Sequence, residues 1–330
     1  MKSARPSPFP LDAKLFTPTP DRTPNRDGYG QGVLDIASED ERIVVLTADV
    51  AESTRVLAFK KQFPKRFIEC GVAEQNMMGI AAGLALSGQI PFVSSYATFS
   101  PGRSWDQLRV SVCYSNANVK VIGAHTGISV GPDGATHQAL EDIALTRVLP
   151  GLVVIAPCDT HEARKATIAA AKYQGPVYLR LAREKTPVIT TPDSPFEIGK
   201  AYVVRPGTDV TIVASGPLLA EALFAAEALA KKQIQAEVIN CPTIKPLDEA
   251  TLLESFKKTG CGITVEEHQI TGGLFGAIAE LTSRTFPIPL EPVGMPNVFG
   301  ESGEPAELLA AYGMDQAAII AAVKRLFRRI

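Results

Sequence analysis

Strand-length apolar runs, each followed by a helix-length segment, recur along this 330-residue chain and constrain its fold more than any other feature. The runs fall at residues 42–46, 66–70, 90–95, 119–124, 152–156 and 177–181, with helical segments near 32–38, 53–61, 74–87, 103–115, 139–147 and 160–172. Strands that are apolar on both faces need cover on both faces, and helices between them let neighbouring strands run parallel. The pattern predicts an α/β domain with a doubly wound, mostly parallel sheet, whose ligands sit at the carboxyl ends of the strands.

The alternation pauses at TPVITTPDSP, residues 186–195, which reads as a proline-marked linker, and then resumes. Strands are expected at 210–214, 236–239, 262–265 and 290–293, and helices near 218–232, 247–258, 274–285 and 315–327. This predicts a smaller second α/β domain. Six prolines (Pro6, Pro8, Pro10, Pro18, Pro20 and Pro24) mark the beginning of the chain and block regular structure there. Residues 1–25 are therefore expected to form an extended arm, loose or draped over another surface. The resulting division is arm 1–25, first domain 26–188 and second domain 189–330.

The formal net charge of −2, with both signs dispersed, offers no footprint for nucleic acid or a membrane surface. The opening residues have no apolar leader segment, and no run reads as long enough to cross a bilayer. Five cysteines (Cys70, Cys113, Cys158, Cys241 and Cys261) contain no CxxC pair and have no metal-ligand spacing with the four histidines. They read as small buried hydrophobes, and a reduced cytoplasmic protein is expected.

Polar residues that follow the predicted strands would gather at one sheet edge. They are Asp49 and Ser53, Glu74, Tyr96 and Phe99, the segment from His125 to His137, Asp159, and Arg183. Glu74 opens a helix rich in small residues, where a carboxylate gains from the helix dipole; alone, it could equally be an ordinary surface helix start. His125, Asp133 and His137 share a loop with Gly127, Gly131 and Gly134. That loop suits either a polar substrate grip or a surface turn whose Asp133 and Thr136 cap the next helix. Tyr96, Phe99 and Trp105 could be core aromatics or stack on a ligand. Arg180 and Arg183 could fork a phosphate or be solvated charges. The sequence EEHQITGGL, residues 266–274, reads as a turn at a domain or subunit contact, without a catalytic role.

Four strings carry a family likeness: TADVAES at 47–53, VAEQN at 72–76, HTGISVGPDGATHQ at 125–138 and LRLAR at 179–183. In that order and spacing they resemble the C-terminal half of transketolase, from Arg26 to the end of the chain. The resemblance implies a thiamine-diphosphate pyrimidine-binding domain followed by the transketolase C-terminal domain, as in the C-terminal subunit of a split transketolase.

The resemblance also implies roles. Glu74 would bond the N1′ nitrogen of the cofactor's aminopyrimidine and control its proton, with Phe99 stacking on that ring, Tyr96 beside it, and Asp49 near the cofactor at the subunit interface. His125 and His137 would contact the donor sugar, Asp133 would read the C2 hydroxyl of the acceptor, and Ser53, Arg183 and Arg26 would grip the sugar phosphate. The Gly-Asp-Gly motif that holds diphosphate and Mg²⁺ in such enzymes is missing; the nearest string, Pro132-Asp-Gly134, lies in the substrate loop. The resemblance therefore implies that a separate N-terminal subunit carries the metal site, in an α2β2 heterotetramer active in ketol transfer between sugar phosphates.

Three other readings share the architecture. Deoxyxylulose-phosphate synthase has an AEQH string and an aspartate in place of His125, so Asn76 and His125 both argue against it. The β subunit of 2-oxoacid dehydrogenases also lacks Gly-Asp-Gly, but a loop with both histidines is not expected there. A catalytically idle partner subunit is opposed by the joint presence of Glu74, His125, Asp133, His137 and Arg183.

Overall fold

The computed structural model describes residues 9–330. Its strands, in chain order, are β1 Arg22–Pro24, β2 Ile43–Thr47, β3 Phe67–Glu69, β4 Ile90–Tyr96, β5 Lys120–Ala124, β6 Val153–Ile155, β7 Val177–Arg180, β8 Lys185–Pro187, β9 Tyr202–Arg205, β10 Val210–Ala214, β11 Ala236–Asn240, β12 Thr243–Lys245, β13 Gly262–Gln269 and β14 Leu290–Met295. The larger sheet runs β12-β6-β7-β5-β4-β2-β3 and the smaller β14-β13-β10-β11-β9. Each is parallel except for one antiparallel edge strand, β12 and β9 respectively. The doubly wound α/β prediction holds in both halves.

β2, β5 and β7 are buried along their whole length, as strands covered on both faces must be. One face packs under the helices Asn25–Glu39 and Thr160–Lys172. These two helices approach closely because Gly28 and Gly32 face the contact: a Cβ on Gly28 would lie 2.0 Å from the Thr160 carbonyl oxygen. The helix expected from residue 32 therefore starts at Asn25. Two of its glycines, Gly28 and Gly32, form the contact surface itself.

The structure corrects or adds to the sequence reading at four further places. The expected helix at 103–115 is one α-turn, Trp105–Gln107, followed by a π-helix over Leu108–Tyr114. β12 comes from the second half of the chain yet extends the larger sheet beside β6. The linker is ordered, with β8 pairing β1. Residues 305–327 do reach bilayer-spanning length and apolarity, but they form two helices, Pro305–Ala311 and Gln316–Phe327. Leu308, Met314, Ile319, Val323 and Leu326 of that stretch are buried in the core of the second domain.

Residues 1–8 of the expected arm lie outside the described residues. From Phe9 onward the arm is draped over the second half: Phe9 packs on Tyr202 with ring centroids 5.3 Å apart, and Leu15 is fully buried. Burying two such side chains contributes roughly 1.5–3 kcal/mol each, so these residues belong to the core. Apolar contact also runs between the sheets: Leu46, Val121 and Tyr178 share one cluster with Val213, Ile239 and Phe256.

Asp159, flagged by its place after a strand, has a structural job. Its carboxylate accepts the N–H groups of Glu162, Ile189 and Thr190, capping one helix and fixing the linker. Glu162 is buried beside it and accepts from Cys158 N at 2.7 Å and Asn240 Nδ2 at 2.7 Å, across the join between the halves. Burial, then the Asp159 charge, pushes the Glu162 pKa up from 4.5 to about 7. A folded-state pKa above the unfolded one gives stability that is full below pH 4.5 and lost as pH rises through 7. Urea midpoints should therefore fall between pH 5 and pH 8, and Glu162→Gln should flatten that slope; an unchanged slope in the variant would contradict the assignment.

Candidate active site

In the sheet order β7-β5-β4-β2-β3, all parallel, the carboxyl ends of adjacent strands deliver their following residues to one edge. Arg183 follows β7, His125 follows β5, Tyr96 ends β4, Asp49 and Ser53 follow β2, and Glu74 follows β3. Parallel strands do this by construction.

Four rings form the wall of the site. Tyr96 and His125 stack at 3.9 Å between centroids, Phe99 lies 6.1 Å from Tyr96, and His137 meets Phe99 edge-on at 5.4 Å. His137 Nδ1 shares a 2.8 Å hydrogen bond with Thr136 Oγ1. Tyr96 and Phe99 are both partly exposed, so these aromatics leave ring surface open to the site, whereas Trp105 is tied down by donating Nε1–H to the Leu145 carbonyl.

Glu74 is 2% exposed at the first turn of the helix Glu74–Leu86. Arg103 Nη1 donates to its Oε2 at 2.7 Å, and the same guanidinium lies 4.7 Å over the Phe99 ring. Arg103 thus connects the buried carboxylate to the ring wall. Nothing in the sequence marked it, since it falls at the start of a presumed helix, directly after a proline-glycine turn.

On the other side of His125 the site is cationic. Arg26 Nη1 donates to the Ser53 carbonyl at 2.7 Å and lies 3.3 Å from His125 Nε2. A guanidinium can only donate, so Nε2 accepts and the imidazole proton sits on Nδ1. That Nδ1 is buried without a partner among the described residues, as is Nε of Arg26. Burial, followed by the charges of Arg26 and Arg183, pushes the His125 pKa down to about 3. His125 is a neutral N–H donor near neutral pH. Its backbone has φ 56°, a conformation sparsely used by residues other than glycine and one that recurs at functional sites.

The loop from His125 to His137 contains a tight 3₁₀ segment, Ile128–Asp133. Gly127, Gly131 and Gly134 all have φ between 73° and 81°, which side-chained residues resist. Arg183 Nη1 donates to the Val130 carbonyl at 2.6 Å and lies 3.9 Å from Asp133. Asp133 and Thr136 do not cap the next helix: Asp142–Arg147 has no side-chain cap.

Two candidates sit differently from the rest. Asp49 is exposed at the rim; its N–H bonds Glu69 Oε1 (2.8 Å), which also accepts from Gly71, so it reaches the Glu74 helix only through β3. Arg180 is neither a phosphate fork nor a solvated charge. It is buried, with Nε donating to Asp142 Oδ2 at 2.8 Å. A pair absent from the sequence expectations, Asp27 with Arg55 at 2.6 Å, stands beside Arg26. Among the described residues, no group of three or more His, Cys, Asp or Glu side chains could hold a metal ion.

Residues 22–188 match the transketolase pyrimidine binding domain, and residues 199–319 match the transketolase C-terminal domain. The chain is 44% identical to a putative transketolase C-terminal section from Methanocaldococcus jannaschii, over 89% of this chain and 93% of that protein. It is 42% identical to a 6-deoxy-6-sulfo-D-fructose transketolase subunit from a Clostridium species, covering 92% and 94%. A solved structure described as a split gene transketolase, inactive beta4 tetramer, superposes with a TM-score of 0.87 at 44% identity, covering 92% of this chain and 98% of that one.

The neutral state of His125 is directly measurable. In histidine-labelled protein its ring resonances should stay constant between pH 8 and pH 5, and a midpoint near 6.5 would refute the assignment.

Proposed function

The chain belongs to the transketolase family, and on that premise we propose that it is the C-terminal subunit of a thiamine-diphosphate-dependent transketolase divided between two chains. The carrying observation is Glu74: a carboxylate with almost no solvent exposure, linked through Arg103 to an aromatic wall that also holds two histidines. A soluble fold rarely buries a carboxylate without a task or a partner.

The residues present fit the aminopyrimidine end of the cofactor. Arg103 engages Oε2 of Glu74, which leaves Oε1 for a ring nitrogen, while Phe99 and Tyr96 offer a stacking face. They do not offer the clustered oxygen ligands that a divalent cation bridging phosphates needs. The diphosphate and Mg²⁺ are accordingly assigned to an N-terminal subunit, with Asp49 on the rim that subunit would cover. An α2β2 assembly follows if two such pairs associate.

When bound, thiamine diphosphate supplies the nucleophile and electron sink for breaking a carbon–carbon bond beside a carbonyl. This chain's own groups orient the sugar and manage protons. His125, held neutral, meets a donor-sugar oxygen without carrying charge to it. His137 lies across the ring wall within reach of the same sugar, and Asp133 accepts from an acceptor hydroxyl. Arg26, Ser53 and Arg183 form the anion end, where planar guanidinium groups suit a phosphate. One reported relative is named for 6-deoxy-6-sulfo-D-fructose and another for no particular sugar, so the physiological pair of substrates is a matter for assay.

The deciding experiment mixes the chain with its N-terminal partner, thiamine diphosphate and Mg²⁺, and follows ketol transfer from xylulose 5-phosphate. Activity should require both chains, and Glu74→Ala should lower turnover by about a thousandfold or more with the fold intact. Full activity in that variant would sink the mechanism. The chain alone should bind the cofactor poorly, and tight metal-dependent binding without the partner would count against the division of labour.

A further inference from the structure

The loop that carries His125, Asp133 and His137 belongs to the first domain, but the second domain shapes it. β13 lies in the smaller sheet, and its Glu267 is 4% exposed. The Glu267 carboxylate does not serve its own domain: Oε1 accepts the backbone N–H of Ser129 at 2.6 Å, at the start of the 3₁₀ segment. Gly127 presses directly on that carboxylate, since a Cβ there would lie 2.2 Å from Oε1 and 2.3 Å from Cδ. The neighbouring Glu266 behaves in the opposite way, accepting from Leu274 N and Phe275 N inside the second domain.

Further contacts with the second domain follow the loop to its end. A Cβ on Gly131 would lie 3.1 Å from the Gly303 carbonyl oxygen, and one on Gly134 would lie 2.6 Å from Ser302 Oγ. Gln138 Nε2 bridges the Ile128 carbonyl at 3.2 Å and the Glu301 carbonyl at 2.9 Å. Arg180 Nη2 donates to the carbonyl of Glu267 at 2.8 Å and to that of Ala139 at 3.3 Å, tying the end of the loop to β13. The loop backbone is thus laid on the second domain from Gly127 to Ala139. Burial pushes the Glu267 pKa up, with Arg180 and the Ser129 N–H opposing; a buried acid is a costly way to fill space alone.

We propose that Glu267 is a positioning residue for the sugar-binding loop: by holding the Ser129 N–H it sets the backbone that aims His125 and Asp133 at substrate, and it makes the second domain the template of that loop. This rests on the ketol-transfer reading above for its catalytic consequence, though not for the geometry. Displacing a binding group by about 1 Å can cost up to a hundredfold in rate. A loop relaxed at Ser129 would pay through substrate affinity before it paid through the cofactor.

The test compares Glu267→Ala, Glu267→Gln and Glu266→Ala. In the chain alone, amide exchange across residues 126–134 should rise about tenfold in Glu267→Ala. It should return near wild type in Glu267→Gln, which keeps an acceptor oxygen, and stay within twofold of wild type in Glu266→Ala. In the complex with the N-terminal subunit, Glu267→Ala should raise KM for the sugar phosphate about tenfold or more, with the cofactor Kd within twofold. Glu266→Ala should lower thermal stability and leave KM within twofold. Loop exchange and KM both unchanged in Glu267→Ala, or an equal rise in KM in Glu266→Ala, would overturn the proposal. A wild-type complex inactive on every sugar phosphate would remove the proposed reaction, and loop exchange in the chain alone would still decide whether Glu267 holds the loop.

Discussion

The buried ion pair between Arg180 and Asp142 is the interaction on which the rest of this architecture leans. Arg180 ends β7 in the middle of the larger sheet, and Asp142 opens the helix Asp142–Arg147. Tyr178 OH adds a second donor to the same carboxylate oxygen at 2.7 Å. Two charges withdrawn from water cost several kcal/mol each unless well paired. Removing either partner of such a pair typically costs about 3–5 kcal/mol. What the arrangement secures is geometry: one guanidinium fixes a strand end, a helix start, the end of the loop from His125 to His137 and β13 of the second domain.

That frame accounts for an electrostatic contrast within the site. Burial, then the charges of Arg26, Arg183 and Arg55 crowded on one side, holds His125 neutral and leaves a cationic end there. Arg103 and Glu74 balance each other on the opposite side, against Phe99. A polar substrate with one anionic terminus would be oriented by this field before any specific hydrogen bond forms.

The helix behind Glu74 explains why the site looks like one side of a cleft. Met77, Met78, Ala81 and Ala82 face the core, while Gly79 and Gly83 have nothing within 4 Å of an added Cβ and Val72 and Leu86 stand largely exposed. The outward face, with Gln75 and Asn76 exposed beside these glycines, is flat and uncovered at Gly79 and Gly83 among the described residues, which suits the two-chain assembly proposed above. The carboxylate at the root of this helix is already closed off within the chain, 2% exposed, under Arg103.

Element type, the doubly wound order and the gathering of Glu74, Tyr96, Phe99, His125, His137 and Arg183 at one edge were legible in the sequence. Hydrophobic period and strand spacing are local properties, and parallel topology then brings strand ends together. Four short strings sufficed for the family. What only the tertiary structure decided involves residues far apart in the chain. Arg180 and Asp159, polar residues at strand ends, proved to be internal braces, because their partners lie on other elements that periodicity does not reveal. Gly28 and Gly32 marked a helix contact, because only the opposing Thr160–Lys172 helix shows why side chains are excluded there. Thr243–Lys245 crossed to the larger sheet, Arg103 reached Glu74, and Glu267 reached Ser129. Each of these depends on a free energy that exists only once distant segments are packed, so no window of sequence contains it.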